Sequence, residues 1–432
     1  MRILWVKIGG LWPANSGGRL RSYHIIAELA QQHEVTVVTT RRADEDPGVL
    51  ERQLSRCAQI LQFPYAAPKH GTGGFIRALA ASWFTPLPVD LYKNTVPEMR
   101  RAVTQLLRDG DFDLCIADFL TGLPHVPLDG RVPVVLFTHN VEYKIWQRLC
   151  ENETNPIKRL LLAIEWRKMR RYEHRACARA DVTLTVSETD RQLFREMVPE
   201  ANIHAIPTGV DVEYFRPAAD GFGPDAAGAF RPAETPGQEL ELVFSGSMDW
   251  FPNEDAMLWF LDSMLPAIRR ELPEVRLTIV GRNPSAKLQQ RAAQETGVTV
   301  TGTVDDVRPS VHRASVYLVP LRIGGGTRLK IFEALAMGKA IVSTTVGAEG
   351  LPLEDGKHLV LADTPEAFAR QVVALVKNPE LRARLGRAGR ELVQTRYSWS
   401  RVAGDFEALC RHGCRAGTAL TNQQIVTGGS EI

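Results

Sequence analysis

The chain has 432 residues, of which 44% are apolar and 24% charged, with a formal net charge of +2. That length suits two domains of about 200 residues, each able to bury its own core, and so small a charge gives no electrostatic basis for nucleic-acid binding, so none is expected as a partner. The six cysteines, at positions 57, 115, 150, 177, 410 and 414, show neither a CxxC nor a Cys/His zinc spacing, a usage that fits a reducing cytosol.

The opening stretch Met1–Pro13 passes from a short apolar run into glycines and a proline, which predicts a first strand rather than a signal peptide. No apolar run approaches the roughly 20 residues that span a bilayer, so the expected location is cytoplasmic. Strands are predicted at 3–8, 34–39, 114–117, 132–137 and near 182–186, with a helix over 17–32 after the first. A second series predicts strands at 240–244, 275–280, 298–300, 315–319 and 340–343, with a helix over 253–270. Alternation of this kind implies parallel sheets with helices on both faces. The Ala-, Gly- and Pro-rich stretch up to Gly237 reads as linker and surface loop, and the tail from Ala416 lacks periodicity and is expected to fray.

Doubly wound sheets bind ligands beyond the carboxyl ends of their strands, so residues just after strands carry the search for chemistry. After the strand ending at Pro320 comes Arg322-Ile323-Gly324-Gly325-Gly326-Thr327-Arg328-Leu329-Lys330-Ile331-Phe332-Glu333. Three glycines let a ligand approach the backbone, and Thr327 is placed to cap the helix that follows. The free N–H groups and dipole of a helix start favour a phosphate, with Arg328 and Lys330 adding charge. Glu333, two turns in, can accept the two hydroxyl hydrogen bonds that a ribose offers. A glycine turn with an N-cap and a Lys330–Glu333 pair is the structural alternative. A P-loop is excluded because GKS/T is absent, and a dinucleotide fingerprint because the third glycine is missing.

This segment resembles the donor-binding signature of retaining GT-B glycosyltransferases of glycosyltransferase family 4. Ile206-Pro207-Thr208-Gly209-Val210-Asp211 with Phe215-Arg216-Pro217 resembles that family's interdomain hinge, Ala180-Asp181 with Val186-Ser187-Glu188 its preceding strand and turn, and Gly302-Thr303-Val304-Asp305-Asp306-Val307 its base-binding loop. The resemblance implies two Rossmann-like doubly wound domains facing a central cleft: an acceptor-side domain over 1–208, a nucleotide-sugar domain over 209–397, a C-terminal helix over 398–415 crossing back to the first domain, and the tail 416–432. It implies transfer of a sugar from a nucleoside-diphosphate sugar, with retention, to a glycan, lipid-linked or small-molecule acceptor in polysaccharide biosynthesis. Donor contacts would come from Glu333, Arg328, Lys330, Gly325, Gly326, Thr327, Ser247, Arg282 and Val304. His139 would sit against the donor sugar and Gly18, in Asn15-Ser16-Gly17-Gly18-Arg19, at the reaction centre. Asp118 and Glu142 are candidate acceptor contacts, with capping the alternative for Asp118 and a tight strand–helix turn the alternative for the glycine pair.

The chain departs from the family pattern twice. Gly325 stands where the first of two glutamates is usual, and Ser245–Asn253 lacks the Arg and Lys that commonly hold the diphosphate, a charge that Arg328 and Lys330 could supply instead. No DxD motif or His cluster suggests a metal, and none is expected as a cofactor. Lys158–Arg179 carries eight basic residues and only Glu165 and Glu173, which allows peripheral contact with an anionic membrane or simply a solvated basic helix. A nucleotide-sugar epimerase and a non-catalytic carbohydrate-binding descendant of a transferase are the rival readings.

Overall fold

The structure is a computed structural model that describes residues 1–14, 16–69, 71–217, 240–323 and 329–427, with side chains up to Gly413. It divides into two compact units, one formed by residues 1–207 together with the chain from Val402 on, the other by 208–401.

In the first unit seven strands form one all-parallel sheet: β1 (Arg2–Lys7), β2 (Glu34–Arg41), β3 (Gln59–Pro64), β4 (Leu114–Asp118), β5 (Val134–Phe137), β6 (Val182–Thr185) and β7 (Ile203–Ala205), in the order β3-β2-β1-β4-β5-β6-β7. Helices cover both faces, which is why β1 reads Ile-Leu-Trp-Val without polar alternation and buries each of those residues. The strand order reverses between β1 and β4, where doubly wound sheets open a crevice.

The second unit repeats the plan with six parallel strands: β8 (Glu241–Ser245), β9 (Arg276–Val280), β10 (Val298–Val300), β11 (Val316–Val319), β12 (Ile341–Ser343) and β13 (Val360–Leu361), in the order β10-β9-β8-β11-β12-β13. Its switch lies between β8 and β11, with Val243 opposite Tyr317. Phe244, Phe260 and Phe368 are fully buried in its core, and each such side chain contributes about 1.5–3 kcal/mol.

The ten strands read from sequence all occur, within two residues at either end. The three that were not read are edge strands: β3, partly exposed along its length, and the very short β7 and β13. The helix expected over 253–270 is interrupted. It runs Phe251–Trp259, widens to a π-type turn over Phe260–Met264 and resumes at Leu265–Glu271. Pro266 explains the widening, because its nitrogen has no hydrogen to donate and its ring crowds the preceding turn. The last helix spans Trp399–Thr427, so its backbone continues through the segment expected to fray. Phe406 on that helix stacks on Trp5 at 5.7 Å and packs on Phe137 at 5.1 Å. Among the described residues no helix is long and apolar enough to cross a membrane.

Candidate functional site

Strand register assembles a polar cluster in the first unit. Lys7 ends β1 opposite Asp118, which ends β4 opposite Phe137 of β5. His139 follows β5 by two residues, and the helix Gly17–Leu29 brings Arg21 and Ser22 over the same edge. The Asp118 carboxylate is fully buried, accepts from Trp5 Nε1 at 2.9 Å and lies 3.4 Å from Lys7 Nζ. Its other oxygen is 2.8 Å from His139 Nε2, while His139 Nδ1 is 2.8 Å from an Arg21 nitrogen.

A guanidinium only donates, so His139 Nδ1 accepts and Nε2 carries the hydrogen given to Asp118. The imidazole is therefore neutral. Burial lowers its pKa to about 3, against the opposing pull of Asp118. Burial also lowers Lys7, with Asp118 opposing, and lowers Arg21 to about 10. For Asp118 burial works upward, but Lys7 and His139 outweigh it and hold the carboxyl well below the usual range. Asp118 thus holds His139 in orientation, and both of its oxygens are engaged within the cluster rather than offered at a surface.

Phe119 covers this cluster. Its ring stacks on the His139 imidazole at 3.8 Å with the planes 1° apart, and Lys7 Nζ lies 3.9 Å from its centroid. Its backbone takes φ +63°, rare for a residue with a side chain and typical of sites where strain is tolerated. A Cβ on Gly18 would fall 2.4 Å from the Phe119 ring, so the glycine leaves room for that ring at the helix start. The buried Thr138 hydroxyl, next to His139, has no partner among the described residues. Glu142 opens the helix Glu142–Asn152 and accepts from Asn140 Nδ2 at 3.2 Å, and burial raises its pKa.

In the second unit, Lys330 and Glu333 lie on the helix Leu329–Ala336. Lys330 Nζ donates to Asn253 Oδ1 at 2.8 Å and sits 4.2 Å from the Phe244 ring centroid. Asn253 Nδ2 in turn donates to the Ser247 carbonyl at 2.8 Å. A Cβ on Gly246 would come within 2.7 Å of Lys330 Nζ, so the glycine admits the ammonium to the loop after β8. Arg282, after β9, donates to Ser247 Oγ at 2.6 Å. Glu333 is half-buried, and burial pushes its pKa up to about 7, with Lys330 opposing. Tyr317 of β11, its neighbour, shares a 2.5 Å hydrogen bond with Ser245 Oγ. Val304, after β10, is exposed.

Of the residues singled out from sequence, the structure gathers His139, Asp118 and Gly18 at one switch point and Lys330, Glu333, Ser247 and Arg282 around another. Val304 lies further along the second sheet edge, and Glu142 one turn beyond His139. Asn15, Gly325, Gly326, Thr327 and Arg328 lie outside the described residues. Sequence reasoning missed Lys7, Arg21, Phe119 and Tyr317. A lysine ending an otherwise apolar strand was a readable signal for the first, since a cation there needs a buried partner. Among the described residues no group of three or more His, Cys, Asp or Glu is placed to hold a metal.

Two parallel-sheet units of this plan define a GT-B architecture. A chain of 17% identity, the sucrose-phosphate synthase of Thermosynechococcus elongatus, superposes with a TM-score of 0.66 over 96% of this chain and all of that one. Anabaena HepE in complex with UDP and glucose, 14% identical, superposes at 0.58 over 94% of this chain and 98% of its own. In sequence, residues 16–214 match the model described as Glycosyltransferase Family 4 and residues 239–378 the one described as Glycosyl transferases group 1. The phosphatidyl-myo-inositol mannosyltransferase of Mycobacterium leprae is 30% identical over 275 residues, covering 62% of this chain and 68% of that protein. Its Mycobacterium tuberculosis counterpart is 31% identical over 229 residues, and the match spans only 56% of its length and 50% of this chain. The chain belongs to glycosyltransferase family 4.

Proposed function

We propose that this chain transfers a hexosyl group from a nucleoside-diphosphate sugar to an acceptor hydroxyl, with retention of anomeric configuration. The observation that carries the reading is the cluster at the β8/β11 switch. It sets a cation, Lys330, against a glycine-containing loop and a half-buried carboxyl, Glu333, less than a turn away. That pairing suits a diphosphate beside a ribose. In this reading Lys330, Arg282, Ser247 and the Gly325–Arg328 segment meet the diphosphate, Glu333 the ribose and Val304 the base. Charge develops on the diphosphate as the glycosidic bond breaks, and prepositioned cations stabilise it. The leaving phosphate then takes the acceptor proton on the same face. His139 and Gly18 support the sugar end from beneath the Phe119 ring, with neutral His139 held by Asp118, and Glu142 meets the acceptor.

Support for the donor class comes from the UDP complex of HepE and from the mannosyltransferase relatives. A relative named for phosphatidyl-myo-inositol also favours an acceptor anchored in a bilayer, and the cationic helix Pro156–Arg179 suits a protein that works at an anionic membrane surface. The deciding experiment is a thermal-shift screen over nucleoside diphosphates and nucleotide sugars, GDP-mannose and UDP-glucose first. A ligand bound only by the folded state raises Tm, and no shift with any of them overturns the reading. Turnover is expected to survive EDTA; loss with rescue by a divalent ion would show a metal requirement.

A further inference from the structure

The helix Pro156–Arg179 is divided along its length rather than around its girth. Its outward stripe, at spacings of three and four residues, reads Ile157, Leu160, Ile164, then Arg167, Arg171 and Arg175. Ile157, Leu160 and Ile164 are 71%, 63% and 40% exposed, unusual for three large apolar side chains in succession. Cys150 Sγ contacts the Arg159 carbonyl, so the preceding helix returns antiparallel and brings Leu149 and Ile145, also exposed, level with Leu160 and Ile164.

Both acidic residues of this helix point inward. Glu165 accepts the Val89 N–H at 2.7 Å, and Glu173 accepts the N–H groups of Glu142 and Tyr143 at 2.8 and 2.7 Å, capping the helix Glu142–Asn152. The outer face is left without a carboxylate of its own. Arg167, Arg170, Arg171 and Arg175 have no carboxylate partner among the described residues, and with Trp166 and His174 they line a groove of about 360 Å³.

We propose that this face is a two-part dock for an anionic bilayer: Ile157, Leu160, Ile164 and Leu149 enter the acyl boundary, and the Trp166–Arg175 groove holds a phospholipid phosphate. The inference rests on the membrane reading above and specifies which residues insert and which read charge. The partner is argued from complementarity. A cationic groove without acids calls for an anion, and a contiguous apolar end calls for a phase that buries it, and an anionic lipid surface offers both within one helix length. Insertion also predicts a component that salt does not screen, unlike the phosphate contact.

Flotation of the full chain with phosphatidylcholine vesicles, with and without phosphatidylglycerol, tests both halves. Wild type should float with the anionic vesicles at least about tenfold more than with neutral ones, and should keep part of that binding at high salt. The variant Arg167→Gln/Arg170→Gln/Arg171→Gln/Arg175→Gln should lose the preference for anionic lipid. The variant Ile157→Ser/Leu160→Ser/Ile164→Ser should still float at low salt but release at high salt. Thermal melts and the nucleotide shift serve as controls, and both variants should match wild type in them, so failure of the dock is separable from failure of the transferase reading. Wild type remaining with the soluble fraction on anionic vesicles at low salt overturns the proposal. Unchanged salt resistance of the serine variant overturns insertion, and a dimer in light scattering that the serine variant abolishes assigns the apolar end to a second copy instead.

Discussion

At the carboxyl edge of the first sheet, Asp118 is buried among Lys7, Trp5 and His139 and stays ionised; at the same edge of the second, half-buried Glu333 titrates near neutrality. The difference lies in the partners. Asp118 has a buried ammonium and two further donors, Trp5 and His139, around it, whereas among the described residues the charge acting on Glu333 is Lys330, which also donates to Asn253. The first unit therefore presents a fixed array, and the second a carboxyl whose charge can respond to what binds beside it.

Breaking the fixed array should have the largest effect. Asp118→Ala leaves Lys7 buried without its counter-charge, and removing one member of a buried pair costs about 3–5 kcal/mol. Thermal or urea denaturation checks this, and Lys7→Met combined with Asp118→Ala should restore much of the loss. Little change in the single variant would mean that the cluster is far wetter than its packing shows.

The two edges should also answer pH with opposite signs. His139 has a folded pKa near 3, below its unfolded value, so its contribution is complete above about pH 6.5 and declines as pH falls toward 3, by about 1.4 kcal/mol per unit at most. His139→Gln should flatten that decline. Glu333, raised to about 7, contributes below its unfolded pKa and loses that contribution as pH rises toward 7. Glu333→Gln should remove that rise-dependent loss in stability curves. The same variant should weaken nucleoside-diphosphate binding by about 1–3 kcal/mol, the scale of a hydrogen bond to a charged group. Calorimetry near pH 7 should show more proton released on binding by wild type than by the variant, the ligand's own phosphate contributing equally to both; equal affinity and equal proton release would remove Glu333 from the donor site.

Much of the architecture was legible because buried parallel strands are near-continuous apolar runs, as Ile3–Val6 and Leu277–Val280 are. Edge strands such as β3 lack that signature, since one flank faces no neighbour and their side chains stay partly exposed. His139 and Glu333 could be picked out because each follows a strand or glycine loop at a fixed distance. Lys330 beside Glu333 could be read as well, but Lys7 and Arg21 could not, because they reach the Asp118–His139 pair through strand register and helix packing across more than a hundred residues. Phe119 left no trace at all, since nothing in Asp118-Phe119-Leu120 announces a positive φ.

Phe119 and Gly18 supply the smallest and most local test of how rigid the first edge is. A methyl added at Gly18 meets the Phe119 ring at 2.4 Å, a distance no real contact sustains, so the ring must move. The ring cannot slide freely, because His139 stacks on it at 3.8 Å and its backbone is already in the left-handed region. Gly18→Ala should therefore cost about 1–3 kcal/mol, the range for overpacking a tight site. Adding Phe119→Ala should relieve the clash, so the double variant should be more stable than the sum of the two single losses predicts. Strict additivity in that cycle would show that Gly18 serves the helix start alone. Coupling would show that the glycine is there for the aromatic cover over His139, which the stack on the imidazole and the left-handed backbone of Phe119 hold in place.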